Sequence, residues 1–132
     1  MSYKNLEIWR LAREITIEIH ELTLKLPRFE QYEEAQQIRR SSKSVRSNIV
    51  EGYGRRICKG DFMRFIVLAL ASNDETIDHL DMLQETNSLT DQQSYSRIQA
   101  KLKSLGIKLS NFLRSMEKLH DTSRFYSDDI PN

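Results

Sequence analysis

Apolar residues recur along this chain at steps of three and four in four long blocks, the spacing of amphipathic helices. In the first block, predicted as a helix over residues 5–26, Ile8, Ala12, Ile15, Ile19, Leu22 and Leu26 form the seam, widened by Trp9 and Leu11. Pro27 stops it, because proline has no amide proton and restrains the residue before it. The second block, residues 32–53, has a thin seam of small residues: Ala35, Ile38, Ser42, Val45, Ile49 and Gly52. The pair Gly52 and Gly54 predicts a left-handed cap at its end. The third, residues 60–86, turns Phe62, Phe65, Ile66, Ala69, Asn73, Thr76, Ile77, Leu80 and Leu83 inward. The fourth, residues 90–119, opens on Thr90-Asp-Gln-Gln93, a capping-box sequence. Its seam runs Tyr95, Ile98, Leu102, Leu105, Leu109, Phe112, Met116, Leu119. Residues 121–132 lack periodicity and are expected to fray.

Four long amphipathic helices with short connectors predict an all-α fold, an antiparallel up-down-up-down four-helix bundle in a single domain over residues 1–120. The small seam of the second helix lets its neighbours approach closely. The other three carry apolar residues beyond one seam, which either cover the second helix or form a subunit interface, so a homo-oligomer is expected.

Composition agrees with this picture. The chain has 132 residues, 39% hydrophobic and 30% charged, enough for one core. Its longest strongly apolar run, Phe65 to Ala71, is far short of the roughly 20 residues of a membrane span. The first residues show no apolar signal region, and the single cysteine, Cys58, fits a reducing compartment, so a cytoplasmic location and no membrane contact are expected.

Charge changes the picture more. The net charge is +1, but residues 39–64 hold eight basic and two acidic residues, +6, and the remainder holds twelve basic and seventeen acidic, −5. The positive charge is concentrated on one segment, as a local binding face requires. Arg39, Arg40, Lys43, Arg46, Arg55, Arg56, Lys59 and Arg64 supply phosphate donors, and Tyr53 supplies a ring for stacking on an unpaired base. Within the segment, Arg40, Ser44, Asn48, Glu51 and Arg55 form a polar stripe nearly opposite the seam. Two readings fit that stripe. It faces RNA or DNA, or its members satisfy one another and lock the second helix to a neighbour or another subunit, with Glu51 and Arg55 as an i, i+4 pair.

Other chemistry is poorly supported. A carboxylate-bridged metal site needs Glu and His three apart on two helices, and only Glu117 and His120 have that spacing. His79 and His120 read as surface histidines. Asp74, Glu75, Asp78 and Asp81 read as a solvated or ion-paired face with no nucleophile nearby. Gly52 and Gly54 close a helix instead of opening one, so they do not form a dinucleotide loop. Cys58 has no histidine close in sequence to act as a catalytic partner. No enzymatic activity, metal or cofactor is expected.

Five segments in order carry a resemblance: Tyr3-Lys-Asn-Leu-Glu-Ile-Trp9, Gln37-Ile-Arg-Arg40, Ser47-Asn-Ile-Val-Glu-Gly-Tyr-Gly-Arg55, Phe62-Met-Arg-Phe65 and Ala71-Ser-Asn-Asp-Glu75. Over residues 3–119 the chain resembles the four-helix-bundle family encoded by intervening sequences in bacterial 23S rRNA genes, the S23 ribosomal protein family. That family is similar to the accessory variability protein of diversity-generating retroelements. The resemblance implies a ring, commonly a homopentamer, and, from the retroelement relative, a basic surface that engages nucleic acid and a protein partner such as a reverse transcriptase. Its motif positions fall here on Arg40, Asn48, Glu51, Gly52, Gly54, Arg55, Ser72 and Glu75, with Ser44 beside them in the polar stripe. Two departures lie beside this face: Ala71 stands where glycine usually precedes the serine, and Ile57-Cys58 replaces the usual polar pair.

Overall fold

In the computed structural model, which describes residues 2–119, four helices form the chain: α1 (Glu7–Leu24), α2 (Glu34–Gly54), α3 (Lys59–Glu85) and α4 (Gln92–Glu117). Helix α1 packs on α2 and α4, and α3 packs on the same two, giving the square of an up-down-up-down bundle. The predicted seams become the core: Ile8, Ala12, Ile15, Ile19, Ile38, Ile49, Phe62, Ile66, Leu80, Leu83, Ile98, Leu102, Leu105, Leu109 and Phe112 are all buried. No helix among the described residues is long and apolar enough to cross a membrane.

The helix ends differ from the expected 5–26, 32–53, 60–86 and 90–119, for local reasons. Tyr3–Asn5 forms a separate 3-10 turn, and Leu6 is extended (ψ 129°), which delays α1 to Glu7. Arg28–Tyr32 is a second 3-10 turn, held by the buried Glu30, whose carboxylate accepts the Glu34 amide at 3.2 Å and the Ser88 hydroxyl. Helix α4 is capped by Asp91 and not by Thr90: Asp91 accepts the Ser94 amide at 3.2 Å and its hydroxyl at 2.7 Å. The expected tail, residues 121–132, lies outside the described residues.

The expected glycine cap of α2 is also replaced. Neither Gly52 nor Gly54 has positive φ; both are helical, and Arg55 closes the helix at φ −102°. Gly52 is small because α3 is close. A Cβ there would lie 3.0 Å from the Cβ of Phe65 and 3.3 Å from the carbonyl oxygen of Phe62. Beside Gly54 there is open space.

Polar groups stitch α2 to α3 where the seam is thin. The Thr76 hydroxyl donates to Ser41 Oγ at 2.8 Å, and the hydroxyls of Ser44 and Ser72 share a hydrogen bond of 2.9 Å. Between α3 and α4, the buried Asn73 amide donates to the Leu102 carbonyl at 2.8 Å. Asp81, expected on a solvated or ion-paired face, accepts the Tyr95 hydroxyl at 2.7 Å. That hydrogen bond, with burial and the negative charge of Asp81, pushes Tyr95 up to about 12 from 10.0. The bond's stabilisation is therefore complete below pH 10 and is lost as pH rises through about 12. Alkaline unfolding curves should show that loss in the parent and a smaller one in Tyr95→Phe.

Candidate nucleic-acid interface

The nine predicted binding residues sort into structural and available groups. Arg39 points inward to the α1–α2 connection. Its guanidinium donates to Thr23 Oγ1 at 3.0 Å, to Gln31 Oε1 at 3.2 Å and to the Gln31 carbonyl at 3.4 Å. Lys59 is likewise engaged, its Nζ donating to the Leu119 carbonyl at 2.9 Å. Both are corrections to the expectation of free cations, since Arg39 makes three hydrogen bonds and Lys59 one to the protein's own acceptors.

Tyr53 is a third correction. Its ring is buried, packed edge-on against Phe62 at 6.3 Å, and the Arg56 guanidinium lies over it at 4.1 Å. A base therefore finds no open face on it. In the sequence, Tyr53 read as a ring open to a base because it lies among arginines; its spacing of four from Ile49 was the signal of burial.

The remaining cations lie on the outside. Arg40 and Lys43 are exposed on α2 and, among the described residues, have no side-chain hydrogen-bond or ion-pair partner. They line a shallow surface groove with Gln36, Ser44 and Ser47. Lys43 and Ser47 continue into a second groove with Arg46 and Thr16. Arg46 is fixed there over the Trp9 ring at 5.1 Å. Further along, Arg55 and Arg64 stack on Phe65 at 5.1 and 4.7 Å, and Arg55 pairs with Glu51 at 3.1 Å.

The polar stripe splits in the same way. Asn48 donates to the Ser44 carbonyl at 2.9 Å and to Ser44 Oγ at 3.1 Å, and Ser44 meets Ser72, so this part joins α2 to α3. Arg40 lies at the free end of the stripe. Glu75 sits apart, 3.5 Å from His79 Nε2. His79 is not the surface histidine expected: its side chain is 13% exposed, and Nδ1 meets Glu34 at 2.7 Å, a contact between α3 and the start of α2. His120 lies outside the described residues.

Between α1 and α4, by contrast, three cations are paired with carboxylates. Arg97 meets Glu18 at 2.9 Å, Lys101 meets Glu14 and Glu18 at 2.6 and 2.5 Å, and Lys108 meets Glu7 at 2.5 Å. Burial works to raise the Glu18 carboxyl, but the hydrogen bonds and charges of Lys101 and Arg97 outweigh it and hold Glu18 below the ordinary carboxylate range. These three cations of α4 are thus paired with carboxylates of α1, whereas Arg40 and Lys43 of α2 face solvent. No group of His, Cys, Asp and Glu among the described residues is placed to hold a metal ion.

The fold and this surface define a class: an all-α four-helix bundle with unpaired positive charge on the outer face of α2. Within that class the chain belongs to the 23S rRNA-intervening sequence protein family, whose model matches residues 4–111. Its fold is similar to the crystal structure of a protein of unknown function from the S23 ribosomal protein family of Bacteroides thetaiotaomicron. The TM-score is 0.74 at 24% identity, over 81% of this chain and 95% of that one. No curated protein matches the chain.

Proposed function

We propose that this protein is a non-enzymatic, cytoplasmic accessory protein that binds structured RNA through the outer face of α2, centred on Arg40 and Lys43. The observation that carries this reading is the contrast between the two sides of the bundle. Exposed cations without partners attract a polyanion, whereas cations already paired with carboxylates offer it little. Arg46, and beyond it Arg56 and Arg64, extend the positive surface past the groove, whereas Arg55 is already paired with Glu51. Assembly into a homo-oligomer belongs to the same reading. It is supported by Val67 and Ile107, half exposed on α3 and α4, the latter lining an open groove with Leu70 and Ile77.

The test is the variant Arg40→Ala/Lys43→Ala. Two lost phosphate contacts should weaken binding to a structured RNA by roughly tenfold or more at low salt and lower the salt slope by nearly two. Melting should be little changed, because neither side chain has a partner to lose. Unchanged affinity in a folded variant refutes the reading.

A second reading has its own observation. The hydrogen bonds among Ser44, Asn48 and Ser72 suit a scaffold whose polar stripe is structural and whose partner is a protein, such as a reverse transcriptase. It predicts no RNA affinity at low salt, and a loss of stability or of assembly when Asn48 is replaced by alanine.

A further inference from the structure

We propose that the rings of Phe29 and Tyr32, in the turn between α1 and α2, stack on unpaired bases of the bound RNA. The protein then selects structured RNA that has single-stranded nucleotides beside the contacted phosphates. These are the open ring faces that the buried Tyr53 does not offer. Tyr32 is 79% and Phe29 62% exposed, and among the described residues neither ring packs on another ring or under a guanidinium. They share one side of the turn. Arg28–Tyr32 is a 3-10 helix with three residues per turn, so residues 29 and 32 eclipse one another about 6 Å apart along its axis.

The other side of the turn is tied down. The buried Glu30 accepts the Glu34 amide and the Ser88 hydroxyl, and the Gln31 side-chain amide donates to the carbonyls of Thr23 at 2.6 Å and Leu26 at 3.3 Å. Rings presented on a fixed turn have little freedom left to lose on contact. They also stand at the end of the cationic groove. Arg39 lines that groove with Gln36, Arg40 and Lys43, and its guanidinium reaches the Gln31 carbonyl, one peptide bond from Tyr32, at 3.4 Å. A strand whose phosphates meet Arg40 and Lys43 can therefore continue onto Tyr32. Within the turn the exposed charges of Arg28 and Glu33 offset, so what it offers an RNA is its rings. In an A-form duplex the bases cover one another and the major groove is too narrow for side chains, so only unpaired bases present a face to them.

Base stacking here rests on RNA binding by α2, and the two fail separately in one experiment. The probes are a blunt RNA duplex and the same duplex with a short adenosine overhang. The parent should bind the overhang RNA roughly fivefold or more tighter than the duplex, the scale of one base stacked on a side-chain ring. Tyr32→Ala should lose most of that preference, and Phe29→Ala/Tyr32→Ala all of it. Both should keep the parent's duplex affinity, salt slope and melting temperature, because neither ring carries charge or joins the core. Tyr32→Phe should keep the preference, since the ring and not the hydroxyl stacks. With 2-aminopurine in the overhang, emission should fall on binding to the parent and not on binding to the double variant. Equal affinity of the parent for the two RNAs, or a double variant that keeps the preference, overturns stacking, while salt-dependent duplex binding leaves the α2 reading standing. Absence of binding to either RNA removes both. A double variant whose RNA-free assembly state differs from the parent's by sedimentation also overturns stacking, since the rings would then belong to a subunit contact.

Discussion

Gly52→Val should lower stability by about 2–3 kcal/mol, and Gly54→Ala, two residues later in the same helix, should raise it by about 0.5 kcal/mol. The two glycines look alike in sequence and share φ in the helical region, so backbone freedom does not separate them. Space does. At Gly52 the first added carbon already lies 3.0 Å from Phe65 Cβ, and the rigid partner at 3.3 Å is the backbone carbonyl of Phe62. The valine methyls have nowhere to go without moving α3 away from α2. That movement loosens Phe62, which packs on Phe112 with ring centres 5.6 Å apart and on Tyr53. At Gly54 nothing lies within 4 Å, and alanine gains helix propensity at no steric cost. For a chain of this size the valine variant should melt about 5–10 °C lower, and the alanine variant about 2 °C higher. Equal effects of the two would show that the α2–α3 approach is not what requires glycine.

Arg39→Ala and Arg40→Ala should separate stability from binding within one dipeptide. Arg39 holds Thr23 and Gln31 with three hydrogen bonds and so ties α2 to the end of α1 and the following turn. Truncating it removes charge-assisted bonds and leaves the oxygen of the fully buried Thr23, whose hydroxyl still donates to the His20 carbonyl at 2.9 Å, without its donor. The expected cost is about 2 kcal/mol. RNA affinity, measured where the variant is folded, should change less than twofold, about the 0.4 kcal/mol that separates small effects from binding contacts. Arg40→Ala should do the reverse. A loss of RNA affinity in Arg39→Ala that matches Arg40→Ala would place the binding face on the other edge of α2.

These neighbours show what the sequence made legible. The bundle was readable because its seams keep three-four spacing over long helices, and the apolar seam residues named on α1 and α2 are buried. The direction of individual polar side chains was not. Arg39 and Arg40 carry the same charge, and it is Thr23 at the end of α1 and Gln31 in a 3-10 turn that engage Arg39 alone. Tyr53 and Lys59 were misplaced for a related reason. Local sequence marks a basic segment, but burial under Phe62 and a bond to Leu119, sixty residues away, are set by the packing of helices. Glu30 and His79 carried no sequence signal at all, since their partners, Ser88 and Glu34, come from distant elements.

The central claim is that the unpaired cations on α2 meet phosphates, and the salt dependence of RNA binding by the parent protein tests it most directly. Arg40, Lys43 and Arg46 engaging about three phosphates should weaken affinity roughly 20- to 40-fold between 50 and 200 mM salt, with log affinity linear in log salt. Affinity that is undetectable at 50 mM salt, or that stays level across that range, would contradict it.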